Sequence, residues 1–94
     1  MGSAYQVITP PAFERHTRRI ARRSPELVAI LAELITILET DPYNHTRQYD
    51  ILKLTGIRAG EGRWRLRQGD YRLRYDIAGR DVVLYSFRNR REAY

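Results

Sequence analysis

Cysteine is absent from the sequence, which removes a disulfide framework, a thiolate nucleophile and any cysteine-ligated metal site at once. Histidine is nearly absent. The only two, His16 and His45, lie far apart and outside any ligand-spaced motif, so neither a metal centre nor a cofactor is expected. Lysine occurs once, at Lys53, and every other basic side chain among the 17 is arginine. No apolar run approaches the roughly 20 residues of a membrane span. The opening Met1-Gly2-Ser3-Ala4 lacks a charged segment followed by an apolar one. No signal peptide is therefore expected, and a cytoplasmic location without membrane contact is the default. No glycine-rich phosphate loop follows a strand, no serine sits in a nucleophile elbow, and no carboxylate pair is spaced for acid–base work.

What is present is a globular composition with an uneven charge. The 94 residues are 43% hydrophobic, enough for a single domain, residues 1–94, with a modest core. The formal net charge is +6. Residues 1–52 carry as many acids as arginines, so the whole excess lies between Lys53 and Tyr94. Arginine presents a planar fork suited to phosphate, although GC-rich coding also favours it over lysine. A localised positive patch fits nucleic acid or an acidic protein better than a membrane.

In chain order, Tyr5–Thr9 reads as a short strand. Thr9 is the expected N-cap of a helix over Pro10–Arg23, with Pro10 at its first position. That helix has a thin apolar stripe at Ala12, Phe13, Ile20 and Ala21. Its other side, Arg15, Arg18, Arg19, Arg22 and Arg23, reads as a solvated face. Ser24-Pro25-Glu26 is a second start signal, with Ser24 as N-cap. The broad apolar helix that follows ends at Asp41-Pro42. The two helices should form an αα-hairpin. His45, in the polar loop Tyr43–Gln48, reads as incidental. Tyr49–Leu54 is the next strand, Thr55–Glu61 a connection, and Asp81–Phe87 a strand apolar on both faces. The expected fold is α+β in the order β-α-α-β-β-β, an antiparallel-rich sheet with an αα-hairpin packed on one face.

The most informative stretch is Gly62–Ile77. It alternates with period two and breaks once, at Gly69-Asp70, as a two-residue hairpin turn does. Pairing about that turn sets Leu66 opposite Leu73 and Trp64 opposite Tyr75, facing a core. The same register sets Arg67 opposite Arg72, Arg65 opposite Arg74 and Arg63 opposite Asp76. Like charges directly across a ladder repel. Solvent faces of sheets often carry basic residues to block edge pairing. Two Arg–Arg pairs on one face point further, to a bound polyanion. Arginine can neutralise a phosphate in ground and transition states, and tyrosine can exchange protons if nearby arginines lower its pKa. RNA supplies its own nucleophile in the 2′-hydroxyl, so this residue set suffices in principle for metal-free cleavage.

The hairpin block, the order of elements and the ending Asn89-Arg90-Arg91-Glu92-Ala93-Tyr94 resemble the RelE/ParE superfamily of bacterial type II toxins, from about Tyr5 to Tyr94. In the RelE-like branch the resemblance implies a ribosome-dependent endoribonuclease, an mRNA interferase acting in the decoding site. Arg63, Arg65 and Arg72 match the residues that hold the scissile phosphate. Arg90, or Arg91 by another gap placement, matches the acid toward the leaving oxygen, and Tyr94 matches the base or a stacking platform. Arg67, Arg74, Arg88 and Arg91 are the expected substrate-binding companions. Many relatives carry a histidine where this chain has Asn89, which would leave the chemistry to arginine and tyrosine. Tyr94 also reads as a tail aromatic packing on the sheet edge. The ParE-like alternative is a non-enzymatic inhibitor of DNA gyrase, and a third reading is a relative that only binds nucleic acid. Every toxin version implies a cognate antitoxin, docked by helix-in-groove or strand addition.

Overall fold

A computed structural model describes residues 4–89 and places two helices against one mixed five-stranded sheet. The elements are β1 (Gln6–Ile8), α1 (Pro11–Arg23), α2 (Glu26–Thr40), β2 (Asp50–Lys53), β3 (Trp64–Gln68), β4 (Tyr71–Ala78) and β5 (Asp81–Asn89). The α+β architecture is the one expected. Its string is one strand longer than β-α-α-β-β-β because the hairpin supplies two strands after β2. The spatial order is β1-β5-β4-β3-β2, with β1 parallel to β5 and the other neighbours antiparallel.

Both helix starts differ in detail from the sequence reading. The N-cap of α1 is Pro10 rather than Thr9, whose hydroxyl instead donates to the Glu14 carboxylate at 2.9 Å. Pro25 rather than Ser24 occupies the N-cap of α2. Ser24 closes α1, donating its backbone N–H to the Ile20 carbonyl at 2.9 Å. With only Ser24 and Pro25 between the helices, one residue ends the first and the next begins the second. α1 buries Phe13 and leaves its arginines exposed; α2 buries Leu34 and Leu38, one turn apart on one face.

The hairpin has the expected register. Leu66 pairs with Leu73, Trp64 with Tyr75, Arg65 with Arg74 and Arg67 with Arg72. Gly69 takes φ +60° while Asp70 stays out of the left-handed region, a Gly-first two-residue turn. Leu66, Leu73 and Tyr75 join Phe13, Leu34, Leu38, Val82, Leu84 and Phe87 in one buried cluster between sheet and helices. β5 runs two residues beyond the expected Phe87, and only one of its faces is fully apolar, since Tyr85 is 37% exposed. Its spacing of buried residues, 82, 84 and 87, is explained by a bulge: Arg74 pairs with Ser86 and Tyr75 with Leu84, so Tyr85 is the extra residue. β1 pairs only with Asp81–Val83, and His16 Nε2 lies 3.0 Å from the Phe87 carbonyl farther along β5.

The most buried polar contact ties the sheet to the loop after α2. The Tyr75 hydroxyl donates to the Pro42 carbonyl at 2.8 Å. Burial and the neighbouring Asp41 carboxylate push that phenol's pKa well up, so it remains a donor. Removing the hydroxyl leaves a buried carbonyl unsatisfied, which costs about 1–3 kcal/mol. Tyr75→Phe is accordingly expected to lower the unfolding free energy by that amount, seen as a lower urea midpoint with an unchanged m-value by circular dichroism.

Candidate functional site

Strand pleating separates the two sides of the sheet. Core side chains point toward the helices, and Asp50, Leu52, Arg65, Arg67, Arg72, Arg74, Ser86 and Arg88 share the other side by register. A cleft of about 370 Å³ opens there, lined by Leu54, Arg65, Arg72, Arg74, Ser86 and Arg88. Four of the predicted residues thus converge. Arg63, at the head of β3, and Arg67, nearer the turn, lie outside this lining. Arg90, Arg91 and Tyr94 fall outside the described residues.

The guanidinium groups are held differently. Arg65 Nη2 donates to Asp50 Oδ1 at 3.0 Å, and Arg67 Nε lies 3.1 Å from Asp50 Oδ2. One carboxylate on the edge strand therefore bridges two arginines of the neighbouring strand. Asp50 and Arg67 are about half exposed and Arg65 less so, so each pair contributes about 0–1 kcal/mol and a phosphate can compete for them. Arg74 is committed to structure: its Nε and Nη2 donate to the Gly62 carbonyl at 3.1 and 2.8 Å, and Nη2 also reaches the Glu61 carbonyl at 3.1 Å. Gly62 has φ +80°, and a Cβ there would meet the Arg74 Cβ at 3.0 Å, so the close approach needs glycine. The Nε groups of Arg65 and Arg72 are buried and have no acceptor. An unmet buried donor costs about 1–3 kcal/mol, and a small shift of either side chain toward an entering anion would relieve it.

Asp76 anchors the loop that leads into β3. The ladder stops at Trp64–Tyr75, so Arg63 and Asp76 are not a strand pair as expected. Instead Asp76 accepts backbone N–H groups from Gly60 at 2.8 Å, Gly62 at 3.2 Å and Arg63 at 2.8 Å. Burial pushes its carboxyl up, but those three bonds and the nearby Arg63 charge outweigh this and hold its pKa below the ordinary value. Asp41 is similar: it is buried, which pushes its carboxyl up, yet bonds from Thr46 and the His45 backbone hold it down. His45 itself stacks on Tyr43, with centroids 5.4 Å apart.

Sequence reasoning missed Asp50, Ser86 and Leu54. Asp50 was visible as a strand residue, but the register of β2 against β3 spans a long loop and has no short-range signal. Asp50 lies opposite Arg67 and Ser86 opposite Arg74, but only pairing within the hairpin carries a local signal.

Two measurements follow. Asp50→Asn releases Arg65 and Arg67, so affinity for a single-stranded oligonucleotide should rise and the log K against log salt slope should steepen by roughly 1, read by anisotropy. Asp76 has a lowered folded-state pKa, so its contribution to stability is present above the ordinary carboxylate value and lost as pH falls below about 3.8. Asp76→Asn should therefore lower stability at neutral pH and flatten the fall in melting temperature below that pH, measured by thermal scans.

No helix among the described residues is long and apolar enough to cross a membrane. No curated protein and no solved structure matches the chain. A family model does, over residues 7–94, and its description is ParE toxin of type II toxin-antitoxin system, parDE.

Proposed function

The chain belongs to the ParE toxin family of type II toxin–antitoxin systems, and on that premise we propose that it acts as a ParE-like inhibitor of DNA gyrase, by contact rather than by chemistry of its own. The observation that carries this reading is the lining of the cleft. It consists of four guanidinium groups, one hydroxyl and a leucine. Such a surface binds anions. Among its described residues there is no imidazole, carboxylate or phenol to move a proton, and arginine gives up its own only above a pKa of roughly 12. The family's name points the same way.

The mRNA-interferase reading keeps one support. Arg72 has a buried Nε without an acceptor in the cleft, as a residue waiting for a phosphate would. Its acid and base would be Arg90 and Tyr94, beyond the described residues, with the decoding site of the ribosome as the place of cleavage.

Family membership implies a cognate antitoxin. Its amphipathic segment fits the groove of about 220 Å³ between α1 and α2, where Ile20, Ala21, Leu27, Val28 and Leu31 form an apolar floor and Arg18 a basic rim. Val28 there is 56% exposed, so the groove offers apolar surface to a partner.

One pair of assays separates the two activities. Purified protein added to gyrase and plasmid is expected to block supercoiling or trap cleaved DNA, while primer extension after induction finds transcripts intact. Cut transcripts with gyrase unaffected would overturn the proposal in favour of the interferase.

A further inference from the structure

β3 begins at Trp64, whereas the β4–β5 hairpin extends beyond that level to Ala78 and Asp81. The β3–β4 ladder ends at Trp64–Tyr75, so the last three residues of β4 have no β3 partner. The loop before β3 leaves a notch of about 290 Å³ at this free edge, and it shares no lining residue with the arginine cleft.

The notch has an uncommon composition for an idle surface. Four large apolar side chains are exposed among the described residues, and two of them, Tyr43 at 38% and Tyr85 at 37%, line it. Trp64 joins them, meeting Tyr43 edge-on with centroids 5.4 Å apart. Two cations complete the wall, Arg63 and Lys53, the latter with its Nζ 5.8 Å from the centre of the Trp64 ring. Asp76 adds a carboxylate that accepts three backbone N–H groups, lies near the Arg63 charge and is hydrogen-bonded to Tyr85.

We propose that this notch binds a nucleotide, with the base against the Tyr43 and Tyr85 rings and the phosphate held by Lys53 and Arg63. Every base offers a π face to an aromatic platform, and ammonium and guanidinium groups are ordinary phosphate ligands. An acidic peptide would use the two cations and leave the rings in water, so the rings favour the nucleotide. The interferase reading would share Arg63 with this site, whereas Tyr43, Tyr85 and Lys53 belong to neither activity discussed above, and the test has an independent readout.

Trp64 is the sole tryptophan, so its fluorescence reports the notch directly. The full chain is titrated at about 0.15 M salt with ATP and with a single-stranded dT oligonucleotide, against inorganic tripolyphosphate and polyglutamate. Saturable quenching by ATP identifies a free nucleotide as a ligand, and quenching by the oligonucleotide alone identifies a nucleotide within a strand; both support the site. Tyr85→Leu, at a position already exposed, should weaken binding roughly tenfold with an unchanged circular dichroism spectrum. Tyr43→Leu serves as the second variant. Absence of quenching, equal quenching by tripolyphosphate or polyglutamate, or wild-type binding by both variants would overturn the proposal.

Discussion

The register of the β3–β4 ribbon is the constraint on which everything else rests. Leu66, Leu73 and Tyr75 fill the core only if Arg65, Arg67, Arg72 and Arg74 occupy the opposite side. A slip of one residue would exchange the two sets and bury guanidinium groups against the helices. The turn at Gly69-Asp70 fixes that register locally, and the hydrophobic set enforces it globally. Folding and surface charge are thus two readings of one pairing. The arginines cluster where they do because leucines alternate with them.

The crowding has been met with different devices along the ribbon. Near the turn, Asp50 on the edge strand neutralises Arg65 and Arg67 together. At the other end, backbone carbonyls of Glu61 and Gly62 take the Arg74 side chain, which turns a repulsive neighbour of Arg65 into a clasp for the loop. Opposite Arg67, in the arginine pair nearest the turn, Arg72 is left with a buried Nε donor unmet, as is the Nε of Arg65. The ribbon's four arginines therefore comprise one strongly committed, two weakly paired and one poised for an external acceptor. Such grading suits a toxin that binds a partner through this side. It does not by itself supply the proton transfers that cutting RNA would demand.

Much of the fold was legible because its strongest signals are local. The period-two alternation, the Gly-Asp turn and the two helix patterns each lie within a short window, and their register and order emerged as read. Capping was less legible: Thr9 and Ser24 are good capping residues by type, but the adjacent prolines took the cap positions. Of the site, the convergence of Arg65, Arg72 and Arg74 followed from the hairpin alone. The place of Asp50 and Ser86 did not, because it depends on strands whose pairing is set by distant parts of the chain. Arg63 shows the limit of alternation as a guide. It belongs by count to the same side as Arg65, yet lies beyond the last ladder pair and serves a different concavity.

The extra residue in β5 acts as a phase shifter. Counting by twos from Val82 and Leu84 would turn position 88 inward, and it is the interruption at Tyr85 that returns Arg88 to the side of Arg72. Pairing the same strand regularly, with Tyr85 counted in the ladder, would steer a cation into the core and the Phe87 ring into water, whereas loss of the Tyr85 codon itself would leave both where they are. The end of the strand therefore owes its facing to one residue held out of the count. A strand of the same length without the bulge would have to supply its fourth cleft arginine from somewhere else, and one shorter by that residue would not.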